Sequence, residues 1–107
     1  MSTLTKLRQM REQILSRITL IEEMRRGSVT RQFLKVKRRR QSEPLFTGPY
    51  ALFTYKKGGK TVGRQLHNPE EIRCLEHQVE NYHAFQRLCR TLVEIGEKIC
   101  EEKEKAG

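Results

Sequence analysis

Tyr50-Ala51-Leu52-Phe53-Thr54-Tyr55-Lys56-Lys57-Gly58-Gly59-Lys60-Thr61-Val62-Gly63-Arg64-Gln65-Leu66 carries the signature of a β-hairpin. Two runs rich in β-formers flank a Gly-Gly pair. The tight hairpin turn needs positive φ at both central residues, which glycine adopts without steric cost. With Gly58-Gly59 as the turn, Lys57 pairs with Lys60, Tyr55 with Val62, Phe53 with Arg64 and Ala51 with Leu66. Side chains alternate along a strand, so one face collects Ala51, Phe53, Tyr55, Val62 and Leu66. The other collects Thr54, Lys56, Thr61 and Gln65, with Leu52 as an apolar exception. That division suits a sheet with one face on helices and one in water. A longer loop would shift the register. An isolated hairpin is marginal in water, so residues 29–36 are expected to add a third strand or an extended arm. Lys37-Arg38-Arg39-Arg40 then opens a loop running through Gln41-Ser42-Glu43-Pro44 to Gly48-Pro49.

The hairpin lies between two amphipathic segments. Leu4, Leu7, Met10, Ile14, Ile18, Ile21 and Met24 recur at helical spacing, predicting a helix over 3–25 capped by Ser2 or Thr3 and ended by Gly27. Asn68-Pro69-Glu70-Glu71 is a start signal: Asn caps, proline fits the first helical position, and glutamates favour the positive end of the dipole. Ile72, Leu75, Val79, Tyr82, Phe85, Leu88, Leu92, Ile95 and Ile99 then predict a helix over 69–104, weakened at Gly96. The fold class expected is α+β: one domain over 1–107, with two long antiparallel helices (1–27 and 67–107) and an inserted basic β unit (28–66). The second helix outruns the first, at roughly 54 Å against roughly 33 Å. Either it frays near Gly96, or a second subunit covers Ile95, Ile99 and Cys100, giving a homodimer through the helices.

The 107 residues contain 22 Lys+Arg against 13 acidic groups, a formal charge of +9. No apolar run is long enough to span a bilayer. No apolar segment follows Met1-Ser2-Thr3-Leu4, so no secretory leader and no membrane partner are expected, and a cytoplasmic setting is the default. Cys74, Cys89 and Cys100 match no zinc spacing and read as reduced, half-buried side chains. Cys74 and His77 share a helix face, but two ligands make no metal site. No metal or other cofactor is expected.

The charge is concentrated. Residues 28–66 hold ten basic groups and one acidic group, Glu43, whereas residues 67–107 hold six basic and nine acidic groups. Lys35, Lys37, Arg38, Arg39 and Arg40 place five cations in six positions. Mutual repulsion opposes such a cluster, so local folding does not explain it. Phosphates do, because neutralising them releases condensed counterions, and arginine adds bidentate geometry. The competing readings are a solvated loop or a targeting patch. Lys56, Lys57 and Lys60 at the hairpin tip form a ribbon able to lie along a nucleic-acid backbone, or else keep a strand edge from pairing. Arg31 and Arg64 are second-rank candidates, Arg64 because strand parity is expected to bury it against glutamates. Phe46, Tyr50, Phe53 and Tyr55 read mainly as packing, although aromatics beside cations can stack bases. Arg25 and Arg26 read as cations at a helix C-terminus, or as an extension of the basic surface.

Catalysis has little support. No G-x-S-x-G, H-E-x-x-H or phosphate-loop motif occurs, and the basic segment offers a single carboxylate where a metal nuclease needs several. The expected function is non-catalytic binding of nucleic acid, DNA in preference to RNA, through phosphates. The rival is a protein-interaction module or helical dimerisation scaffold whose basic insert docks on an acidic partner.

Met24-Arg25-Arg26-Gly27-Ser28, Gly48-Pro49-Tyr50, Gly58-Gly59-Lys60-Thr61-Val62 and Val79-Glu80-Asn81-Tyr82, in that order, resemble a family of small bacterial domains of unknown function often found near transposase genes. The resemblance runs from about Leu7 to Glu97. It implies the helix–hairpin–helix architecture and a mobile-element setting, with a mobile-element enzyme as a partner, but no established activity. In that family the segment before Gly-Pro-Tyr carries several cysteines, as in a small metal knuckle. Lys35 to Thr47 holds none here and is basic instead, so the family's metal role does not transfer.

Overall fold

The structure, a computed structural model, describes residues 2–36 and 45–106, with side chains for 2–31 and 51–106. The elements are α1 (Thr3–Thr19), β1 (Ser28–Val36), β2 (Leu45–Lys57), β3 (Lys60–Leu66) and α2 (Pro69–Ala106), an α+β arrangement. The chain divides into two compact units, Met24–Glu80 and Met1–Glu23 with Asn81–Gly107, so α2 contributes to both.

In the unit Met24–Glu80 the strands form an antiparallel sheet in the order β1-β2-β3. The hairpin register is the one its Gly-Gly pair predicts, with Lys57 opposite Lys60, Phe53 opposite Arg64 and Ala51 opposite Leu66. Gly58 and Gly59 both have positive φ, 59° and 80°. β1 supplies the third strand, with Val29 opposite Phe53 and Arg31 opposite Ala51. β2 begins earlier than expected. The stretch 45–49, read as loop, is strand, and Gly48 and Pro49 fall where the β1–β2 register shifts between Gln32 and Leu34. Proline has no N–H for a ladder, so a central strand accepts it at such an irregularity.

The first turns of α2 cover one face of this sheet. Ile72, Leu75 and Val79 form a buried cluster with Ala51, Phe53 and Leu66, and Val29 and Tyr55 pack against it. Asn68 caps the helix as predicted: its Oδ1 accepts from the Glu70 N–H at 2.9 Å, and its carbonyl accepts from the Ile72 N–H. Gly27 has φ 137°, and a Cβ there would lie 2.6 Å from the Thr54 carbonyl oxygen and 2.8 Å from the Phe53 ring. It is the point where incoming chain meets the core, not the end of a helix.

In the other unit, α1 is shorter than its apolar stripe suggests. Ser2 caps it, accepting from the Thr5 N–H at 3.1 Å, but it ends at Thr19 and not near residue 25. The N–H groups of Leu20 and Ile21 bond to carbonyls three residues back, which tightens and closes the last turn. Beyond it the Asn81 side chain donates to the Glu23 carbonyl at 2.9 Å, on chain that is not helical where helix was expected. Leu7 and Ile95 are this unit's buried hydrophobic residues. Ile95, expected to lie in an uncovered overhang, is thus enclosed by the chain itself, although Cys100 is exposed. Among the described residues no helix is long and apolar enough to cross a membrane.

Candidate functional site

β1 begins pairing with β2 at Ser28 opposite Thr54, whereas β2 continues to pair with β3 as far as Lys57 opposite Lys60. The hairpin therefore runs past the end of β1 as a two-stranded ribbon. Its tip carries Lys56, Lys57 and Lys60, all exposed. Lys57 and Lys60 are directly opposed and share a face, and Lys56 has the opposite parity. Directly opposed like charges weaken a strand pair, so the tip is not built for its own stability. None of the three lysines has an ion pair with a described residue.

The two edge-strand arginines differ from the lysines. Arg31 on β1 and Arg64 on β3 sit on the α2-facing side, in register with the core residues Ala51 and Phe53. Arg31 grips Glu76 with a two-pronged fork, Nε to Oε2 at 3.0 Å and Nη2 to Oε1 at 2.6 Å. Hydrogen bonding from Arg31 holds the Glu76 carboxyl below the usual carboxylate range, against a smaller opposing effect of desolvation; the same bond and the carboxylate's charge raise Arg31. Arg64 Nη2 lies 3.3 Å from Glu71 Oε1, so strand parity does bring it to a helix glutamate, but Arg64 stays exposed where burial was expected. Both arginines tie edge strands to α2, and their charge is met within the fold.

Lys35 lies in β1 opposite Phe46. Lys37, Arg38, Arg39 and Arg40, the densest part of the predicted surface, lie outside the described residues. Of the candidate aromatics, Phe53 is in the core at 3% exposure and Tyr55 stacks on it with ring centroids 5.2 Å apart. The side chains of Phe46 and Tyr50 are outside those described. Cys74, Cys89 and Cys100 are free thiols, and Cys74 Sγ accepts from the Gln78 amide at 3.4 Å. Cys74 and Cys100 are exposed, not half-buried as expected for all three, and Cys89 alone is partly buried.

Sequence reasoning gave too little weight to Arg25 and Arg26. With α1 ending at Thr19, no helix terminus explains them. The Arg25 backbone N–H donates to the Gln78 carbonyl at 3.0 Å, and its Nε donates to Gln78 Oε1 at 3.0 Å. Arg25 and Arg26 line a cleft of about 270 Å³ with Phe53, Tyr55 and Arg64. Arg26 and Tyr55 also border a second cleft of about 450 Å³, with Thr54, Lys56 and Thr61 among its other walls. The available signal was Gly27, which marks a close approach and fixes where its arginine neighbours go. No protein-family model matches the chain, and no curated protein or solved structure matches it significantly.

Proposed function

We propose that the chain is a non-catalytic nucleic-acid-binding protein that engages phosphates, those of DNA in preference to RNA, through the β2–β3 ribbon and the basic segment preceding β2. One observation carries this reading: Lys56, Lys57 and Lys60 gather at a projecting tip without acidic partners among the described residues, whereas Arg31 and Arg64 are neutralised by α2. Lys37, Arg38, Arg39 and Arg40 add the largest block of unbalanced charge in the sequence. The resemblance to domains found near transposase genes adds a mobile-element setting to the proposal. The antiparallel pairing of α1 with the later turns of α2 belongs to it as well, supported by their shared unit and by burial of Leu7 and Ile95.

A salt titration of duplex binding is the test. Log affinity falls linearly with log salt, by about 0.9 for each phosphate neutralised. Joint replacement of Lys56, Lys57 and Lys60 by Gln lowers the slope by about 2–3 on that scale. Replacing Arg38, Arg39 and Arg40 together by Ala lowers it again. Absence of binding to any DNA or RNA at low salt defeats the proposal. A second reading, a protein-interaction or dimerisation scaffold, is favoured by the exposure of Met10, Leu20 and Val93 in the helical unit, Leu20 at 82%. Light scattering across a concentration series detects the dimer it requires.

A further inference from the structure

Arg25 and Arg26 take no part in the ribbon's tip, yet they share a cleft with Arg64 and Tyr55. Two of these guanidiniums are held in place from α2: Arg25 Nε by Gln78 Oε1 at 3.0 Å, and Arg64 Nη2 by Glu71 Oε1 at 3.3 Å. An arginine has five N–H donors, so each keeps several for a ligand. Arg26 forms no hydrogen bond or ion pair with a described residue. Gln78 is neutral, so among the described residues Glu71 is the one acidic partner of the three arginines, which leaves two positive charges on the cleft. Mutual repulsion opposes bringing those charges together.

We propose that this cleft binds a phosphomonoester: the terminal phosphate of a nucleic-acid strand, or that of a free nucleotide. A phosphomonoester carries about −1.5 to −2 charges at neutral pH, which matches the two uncompensated positive charges. It presents three unbridged oxygens to guanidiniums suited to paired hydrogen bonds. An internal phosphodiester brings one charge and must let the strand leave on both sides. The adjoining cleft of about 450 Å³, which shares Arg26 and Tyr55, has room for the attached nucleoside beside Thr54 and Thr61. The choice of a nucleotide as the phosphate carrier rests on the nucleic-acid reading; the phosphate site itself rests on the arginines.

The experiment compares one internally labelled oligonucleotide with a terminal phosphate and with terminal hydroxyls, by fluorescence anisotropy, and adenosine monophosphate by calorimetry. The phosphorylated strand is expected to bind about tenfold tighter, the effect of one charge-assisted hydrogen bond set. Arg26→Gln removes that advantage and leaves the hydroxyl strand's affinity within about twofold, since one background charge is lost. Arg26→Lys keeps the charge, loses the fork and retains part of the advantage. Circular dichroism melts identical to the parent show that both variants fold. Equal binding of the two strands, together with no adenosine monophosphate binding, overturns the cleft and leaves the ribbon reading standing. Adenosine monophosphate binding that Arg26→Gln abolishes, without oligonucleotide binding in either form, supports the cleft and defeats the ribbon. No binding of any probe overturns both.

Discussion

Gly27 has little freedom to change. Its φ of 137° disfavours any L side chain, and an added Cβ meets the Thr54 carbonyl at 2.6 Å, a backbone atom that cannot swing aside. Gly27→Ala is expected to cost about 2 kcal/mol or more, read as a lowered midpoint in urea denaturation. Glu76 makes a second residue-scale prediction. Its folded carboxyl is held below the usual range by hydrogen bonding from Arg31, so its contribution is present at neutral pH and vanishes as the pH falls through that depressed value. Acid unfolding curves below the ordinary glutamate value of about 4.3 should therefore flatten in Glu76→Gln, which has no carboxyl to protonate there. An unchanged acid limb in that variant would remove Arg31–Glu76 from the forces holding β1 to α2.

At the scale of elements, the hairpin turn tests what the chain decides locally. Gly58 has φ 59° and open space around it, so only backbone preference restricts the position. Gly58→Asn should preserve the melting temperature, because Asn-Gly suits the same turn, whereas Gly58→Val should cost about 1 kcal/mol or more. Equal melting of the two variants would mean that the tip is not held in this turn. Both the turn and α2 were legible in the sequence, because a Gly-Gly pair and an Asn-Pro-Glu-Glu start act through neighbours in the chain. The end of α1 was not. Ile21 and Met24 continue the helical period, yet contacts from Asn81 and Gln78, more than fifty positions away, hold Glu23 and Arg25 in a non-helical path. Gly48-Pro49 failed as a loop signal for a related reason: a register irregularity shared with β1 admits proline into strand.

Across the whole molecule the net charge of +9 should make salt act in two opposite directions. Screening of self-repulsion should raise the thermal midpoint, whereas screening of the proposed phosphate contacts should weaken the proposed nucleic-acid binding. A melting curve and a binding isotherm taken over one salt series should thus move apart; loss of both together would trace weakened binding to loss of fold. The β-hairpin and its register, the start of α2, the apolar stripes and the concentration of charge between the helices could all be read from the order of residues, since each depends on spacing along the chain. Which cations are met by an acidic group inside the fold became visible in three dimensions alone. Arg31 and Arg64 look like any other basic residues until α2 brings Glu76 and Glu71 against them, and Arg25 and Arg26 look like helix-end charges until α1 stops short. A charge acquires its role from what stands opposite it in space, and those neighbours lie on other elements of the chain.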